Sequence, residues 1–108
     1  MTEAEIRAAL IAELAEIEAL QAASAEDRAP VALDQTTQGR LSRMDALQGQ
    51  AMALATQRRR EQRRLRIRAA LKRLEEGDYG FCVACGEAIG ERRLAVDPTT
   101  PTCLDCAG

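Results

Sequence analysis

The last third of the chain, residues 77–108, reads GDYGFCVACGEAIGERRLAVDPTTPTCLDCAG and contains both cysteine pairs of the sequence. The pairs are Cys82 with Cys85 and Cys103 with Cys106, separated by 17 residues. Zinc sites built from four cysteines have this C-x2-C-x15–20-C-x2-C spacing. Each pair forms a tight turn that presents two thiolates, and two such turns complete a tetrahedral shell with Zn–S bonds of about 2.3 Å. We therefore predict one zinc ion bound by all four cysteines.

The predicted ion is structural rather than catalytic, because four thiolates leave no open coordination position. The segment has too little apolar surface to fold alone, and metal binding would supply the missing folding energy. Two disulfides would instead suit a secreted chain, a redox pair would belong to a thioredoxin-like unit, and an iron–sulfur cluster would match the ligand count. We favour zinc because the spacing fits it and nothing in the sequence resembles a thioredoxin-like unit.

The composition favours a small, mainly α-helical protein. Of the 108 residues, 46% are hydrophobic but only 2% are aromatic, and the abundant Ala and Leu suit helices. The absence of His excludes a Ser-His-Asp triad, a Cys–His pair and His-based zinc enzymes. The acidic N-terminus lacks the apolar region of a secretory signal, and no apolar run is long enough to span a membrane. We therefore expect a cytoplasmic protein.

A first helix is predicted over residues 3–25. Its apolar residues recur at steps of three and four, the period of one helix face: Ile6, Leu10, Leu14, Ile17. Thr2 is the expected N-cap, with Glu5 completing a capping box. Pro30 interrupts the helical pattern, which predicts a turn over residues 26–36.

A second, longer helix is predicted over residues 37–76, ending at Gly77. Its apolar positions form a near-heptad stripe: Leu41, Met44, Leu47, Ala51, Leu54, Leu65, Ile67, Leu71, Leu74. Matching stripes joined by a short turn predict an antiparallel coiled-coil hairpin over residues 1–76, followed by a small zinc finger over residues 77–108. We expect the shorter first helix to cover the part of the second helix nearest the turn.

A basic stretch within the second helix contains seven arginines: Arg58, Arg59, Arg60, Arg63, Arg64, Arg66, Arg68. Glutamates of the first helix are expected to lie beside them, so pairing within the hairpin explains part of this charge. Contact with phosphates or with an acidic protein surface is the functional interpretation. A nucleic-acid-binding zinc-ribbon module using this helix is an alternative function, and a thiol redox protein is another.

The cysteine segment resembles the DksA/TraR family of bacterial transcription regulators. The resemblance rests on Gly80-Phe81-Cys82-Val83-Ala84-Cys85-Gly86, Ile89, Arg92-Arg93-Leu94, Pro98-Thr99 and Cys103-Leu104-Asp105-Cys106. It implies a regulator that binds RNA polymerase directly, with the finger at the rim of the secondary channel and the coiled coil inside it. It also implies no direct readout of DNA. The candidates for polymerase contact are Arg59, Arg66, Arg92 and Arg93.

The family has an acidic tip, Asp-x-x-Asp-x-Ala, that acts near the polymerase active site, and this string does not occur here. Asp34 in the predicted turn is our candidate for the tip acid, with Asp27 and Asp45 behind it. An alternative role of Asp34 is to cap the second helix.

The nucleotide ppGpp often acts together with members of this family. Here Asp97 stands where the family has an Arg before Pro98, and Ala107 replaces a Lys after the last cysteine. An acid in place of a base repels a polyphosphate. We therefore expect weak or no synergy with ppGpp, although Arg66 occupies the position of a basic helix residue of the family.

Overall fold

The computed structural model describes residues 2–23 and 40–107, which form three helices. Helix α1 spans Glu3–Ala23, helix α2 spans Arg40–Glu76, and the short helix α3 spans Glu91–Val96. The described residues contain no β-strand, and a single antiparallel bridge pairs Phe81 with Ala88. The predicted turn over residues 26–36 lies outside the described residues, as do the predicted helix ends at 24–25 and 37–39.

Local sequence signals set two of the helix ends. The backbone N–H of Glu5 donates to Oγ1 of Thr2 at 3.2 Å, so the predicted N-cap of α1 is confirmed. Helix α2 ends at Glu76 because Gly77 adopts φ +81°, a left-handed conformation that favours glycine. The N–H of Asp78 then returns to the C=O of Arg73 at 2.9 Å, which closes the helix as a Schellman turn.

Helices α1 and α2 pack antiparallel, as predicted. Gln21, near the end of α1, hydrogen-bonds to Glu61 of α2, whereas Glu3 at the start of α1 lies beside Tyr79. Their shared core consists of buried residues from both helices and the following segment: Leu10, Ile17, Ile67, Ala70, Leu74, Tyr79. The mainly α fold with a helical hairpin and a C-terminal four-cysteine finger is therefore confirmed.

The expected position of α1 along α2 is wrong. Helix α1 packs against the C-terminal half of α2, next to the finger, and not against the half nearest the predicted turn. Ile67 and Ala70 in the C-terminal half of α2 are fully buried, whereas Met44 and Met52 in the N-terminal half are more than half exposed. The finger adds Tyr79 and Leu94 to the core at the C-terminal end, so more apolar surface is buried there.

The finger also contains an element that the sequence did not predict. Helix α3 follows Gly90 and places Arg92 and Arg93 on one side of the finger, while Leu94 packs against the hairpin core. Within residues 2–23 and 40–107, no helix carries an apolar stretch long enough to cross a bilayer.

Candidate zinc centre and basic groove

The four cysteine sulfurs converge on one point. All four Sγ atoms lie within 4.8 Å of one another, and the Sγ atoms of Cys85 and Cys103 are 3.6 Å apart. A tetrahedral zinc ion with Zn–S bonds of about 2.3 Å holds its sulfurs roughly 3.8 Å apart. The donor set therefore fits one closed, structural Zn²⁺ site, and the predicted ligands Cys82, Cys85, Cys103 and Cys106 are brought together.

The two cysteine turns have the same backbone geometry. The N–H of Gly86 donates to the C=O of Cys82 at 2.9 Å, and the N–H of Ala107 donates to the C=O of Cys103 at 3.0 Å. Gly86 adopts φ +80°, as expected for the residue that turns the chain back toward the sulfurs. The N–H of Val83 donates to the C=O of Pro101 at 2.9 Å, which holds the two turns against each other.

The four clustered thiols differ in acidity. A backbone hydrogen bond from Cys103, followed by bonds from Cys85 and Ala84, outweighs desolvation and lowers the pKa of Cys82 to about 6. Hydrogen bonds to Cys103, Cys85 and Cys82 raise the pKa of Cys106 to about 12. Zinc binds thiolates, so its binding must release the protons that these thiols retain. Zinc affinity therefore falls as pH falls.

Three of the four candidates for polymerase contact line a groove beside the two cysteine turns. Arg66 from α2 and Arg92 and Arg93 from α3 line this groove, which has a volume of about 810 Å³ and is called the basic groove below. Its apolar walls include Val96 and Leu104, two strongly exposed side chains. Apolar walls flanked by cations fit a partner surface that combines apolar and acidic residues.

Arg59 is not part of the basic groove. It is exposed on α2, and its Nη2 donates to Oγ1 of Thr56 at 3.0 Å. Among the candidate tip residues, Asp45 is exposed on the N-terminal half of α2, while Asp27 and Asp34 lie outside the described residues.

Four of the seven arginines of the basic stretch form ion pairs within the molecule. Glutamates of α1 lie beside its arginines, as predicted, and Asp97 of the finger supplies a further acid. The closest atom pairs are Arg63–Glu13 at 2.7 Å, Arg63–Asp97 at 2.8 Å, Arg64–Glu61 at 2.6 Å, Arg66–Asp97 at 3.1 Å and Arg68–Glu18 at 2.9 Å. A polyanion would have to displace these carboxylates, which weakens the case for a nucleic-acid contact along this face.

Asp97 is the centre of a network that the sequence analysis missed. Its Oδ1 accepts hydrogen bonds from Nη1 of Arg63 at 2.8 Å and from the N–H and Oγ1 of Thr99 at 3.0 and 2.7 Å. Its Oδ2 accepts one from Nη2 of Arg66 at 3.1 Å. Arg63 also forms a two-pronged bond to Glu13 of α1 at 2.7 and 3.0 Å. The sequence Asp97-Pro98-Thr99 is typical of a turn closed by an Asp side chain. This pattern could have predicted the turn, but not its arginine partners.

This network keeps Asp97 ionised. Partial burial opposes ionisation, but hydrogen bonds from Arg63 and Thr99 outweigh it and lower the pKa of the Asp97 carboxyl to about 2. A depressed folded-state pKa contributes stability that is fully present above about pH 4 and is lost as pH falls toward 2. Hydrogen bonding to Glu13 in turn raises the pKa of Arg63 further above its usual range.

Comparisons with known proteins converge on one family. Residues 77–108 match the model of the prokaryotic dksA/traR C4-type zinc finger. The RNA polymerase-binding transcription factor DksA of Haemophilus influenzae is 43% identical over 63 residues, which cover 56% of this chain and 43% of that protein. The protein of the same name from Escherichia coli is 40% identical over 63 residues, 56% of this chain and 42% of the relative. The match thus spans less than half the length of these relatives.

The structural likeness extends beyond the finger. The solved structure of transcription factor DksA2 from Pseudomonas aeruginosa superimposes with a TM-score of 0.76 at 25% sequence identity, covering 97% of this chain and 79% of that one. The likeness therefore includes the helical hairpin as well as the finger.

Proposed function

We propose that this chain, a DksA-like member of the family defined by the dksA/traR C4-type zinc finger, regulates transcription by binding RNA polymerase directly. The proposal rests on how the finger is joined to the long helix α2. A four-cysteine finger bearing the basic groove packs on the end of a 37-residue helix. Such a helix is about 56 Å long, so a finger docked outside a channel can hold a charged segment deep within it.

In the finer form of the proposal, the finger docks at the rim of the polymerase secondary channel and the hairpin enters the channel. Arg66, Arg92 and Arg93 of the basic groove contact the rim, together with Arg59. Asp34, with Asp27 and Asp45, acts at the tip near the polymerase active site. Asp45 precedes Arg66 by 21 residues of α2, a distance of about 32 Å along the helix.

The proposed activity is regulatory and not enzymatic, and it belongs in the cytoplasm with the polymerase. A zinc ion held by four thiolates has no open position for a substrate or an activated water. The alternative, a nucleic-acid-binding module, would require the arginines of α2 to reach phosphates. Arg63, Arg64 and Arg68 are already paired with carboxylates, so phosphate binding along this face would have to break these ion pairs.

Binding to core RNA polymerase tests the proposal. We expect the zinc-loaded protein to bind at micromolar concentration or below and to change transcription from a ribosomal promoter. Arg92→Glu reverses an exposed charge of the basic groove and should weaken binding about tenfold, because like charges repel across an interface. The measurement is fluorescence anisotropy of the labelled protein titrated with core polymerase.

Arg7→Glu is the matched control, since Arg7 is an exposed arginine on α1 outside the basic groove. It should bind like the wild type. Failure of the wild type to bind at micromolar polymerase contradicts the proposed function, and equal loss in both variants contradicts the role of the groove. A salt-dependent shift of bare DNA or RNA would favour the alternative module.

We also propose that ppGpp has little or no synergy with this protein. The Asp97 carboxylate forms ion pairs with Arg63 and Arg66. These two cations are then less able to bind a polyphosphate, and the carboxylate itself repels one. Saturating ppGpp should change the effect of this protein on transcription less than about twofold. The assay is promoter transcription over a ppGpp titration, with a ppGpp-responsive family member as the positive control. A large enhancement with this protein contradicts the expectation.

A further inference from the structure

The finger is attached to the hairpin first at the C-terminal end of α2. The chain passes directly from α2 through Gly77 into the finger. Tyr79 is buried against the hairpin core, and its hydroxyl donates to the C=O of Pro98 at 2.8 Å. Leu94 of α3 packs against the same core. Leu94 and the ring of Tyr79 thus meet the hairpin core near the last turn of α2, and the Tyr79 hydroxyl reaches the loop of residues 97–99.

A second attachment begins nearer the N-terminal end of α2. The loop that begins at Asp97 reaches Arg63 and Arg66 through the hydrogen bonds described above, and Nη1 of Arg63 also donates to Oγ1 of Thr99 at 3.0 Å. Thr99 is only 1% exposed, so this loop is pressed against the helix. Arg63 precedes Leu74, a core residue of the first attachment, by 11 residues, or about 16 Å of helix.

Two attachments at separate points have a mechanical consequence that one does not. A small domain held only near Gly77 resists a change of angle less than one whose contacts are spread along the helix. Here the loop of residues 97–99 bonds to α2 from Arg63 to Arg73, whose Nη2 donates to the C=O of Thr99 at 3.4 Å. These two arginines are ten residues apart, or about 15 Å of helix.

Nε and Nη2 of Arg63 hold Glu13 of α1, while its Nη1 donates to both Asp97 and Thr99 of the finger. The guanidinium is therefore fixed in orientation, and its charge-assisted bonds to the finger are directional.

We propose that Asp97 and Arg63 are positioning residues that fix the finger at one angle to the hairpin and thereby hold Arg66 beside Arg92 in the basic groove. The role of that groove rests on the proposed function, but the fixed angle does not. Arg63 extends the network to α1 through Glu13, so all three parts of the molecule are held by one side chain. Asp97 acts through these arginines and needs no contact of its own with polymerase.

The angle is measured by residual dipolar couplings on the zinc-loaded protein, without polymerase. In the wild type, the couplings of α1–α2 and of the finger should fit a single alignment tensor. Asp97→Asn keeps an oxygen that can accept from Thr99 but removes the charge that binds the two arginines. Its finger and hairpin should require two different tensors, while one zinc per chain is retained. A single shared tensor in this variant overturns the proposal.

Glu61→Gln is the matched control, because it breaks an ion pair of the same kind, with Arg64, that does not involve the finger. It should keep the single tensor. Should Asp97→Asn fail to fold, Arg63→Lys provides the same test, since an ammonium keeps the charge but cannot hold Glu13 and Asp97 together in a fork. A single tensor in Arg63→Lys would likewise overturn the proposal.

Polymerase affinity distinguishes positioning from general structural support. Asp97→Asn should weaken binding about fivefold, and in the Arg63→Lys background it should cause little further loss, because both residues act through one network. Additive losses overturn the positioning role. If the wild type does not bind polymerase, the proposed function is wrong. The tensor measurement alone then tests whether the angle between finger and hairpin is fixed.

Discussion

Removing the zinc ion should unfold residues 77–107 and abolish binding to RNA polymerase. The finger has few buried side chains of its own, among them Tyr79, Cys82 and Ile89. Structural zinc contributes about 10–16 kcal/mol in small zinc-binding units, more than such a core supplies. Because Tyr79 and Leu94 also complete the hairpin core, the adjoining end of α1 should loosen as well.

A chelator titration followed by metal analysis and amide NMR measures this effect. The wild type should contain one zinc per chain, and Cys103→Ser should contain none and lose the dispersed signals of the finger. Asp105→Asn is the control, because it changes the same turn without removing a ligand, and it should keep its metal. Dispersed finger signals that survive complete zinc removal contradict the assignment. Zinc should also be released more readily as pH falls, since protons compete for the thiolates.

Truncating Ile67 to Ala should destabilise the hairpin by about 2–5 kcal/mol. Ile67 is fully buried between α1 and α2, so the truncation removes buried apolar contacts and leaves a cavity. A loss of this size is a large part of the free energy of unfolding of a small domain, roughly 5–15 kcal/mol. The change is measured by urea denaturation of the zinc-loaded protein, followed by helical circular dichroism.

Leu65→Ala is the matched control, because Leu65 lies two residues earlier on the same helix but is 54% exposed. Its free energy of unfolding should change by less than about 0.5 kcal/mol. Equal effects of the two truncations would show that α1 does not pack on the Ile67 face of α2.

Much of this architecture could be predicted because its causes are local. The spacing of four cysteines defines a metal site by itself, since two short turns need only meet at one ion. Thr2 and Gly77 mark helix ends through bonds that span a few residues. These features depend on neighbours in sequence, and the structure confirms them.

The features that could not be predicted depend on distant partners. The apolar stripe of α2 continues over both halves, and nothing in it shows that α1 packs on Ile67 and not beside Met44. That choice depends on Tyr79 and Leu94, which the finger brings to one end. Asp97 was interpreted only as an acid that repels a polyphosphate. Its pairing with Arg63, 34 residues earlier, becomes visible only when the finger folds back onto the helix.

Helix α2 runs unbroken from Asp45 to Glu76, so a small change of angle at its end becomes a large displacement. Asp45 and Gly77 are 32 positions apart, so a tilt of about 10° at Gly77 would shift Asp45, some 48 Å away, by roughly 8 Å. A carboxylate displaced that far no longer meets a given target atom. How accurately Asp45 is placed therefore depends on how rigidly the finger is attached to α2, tens of ångströms away.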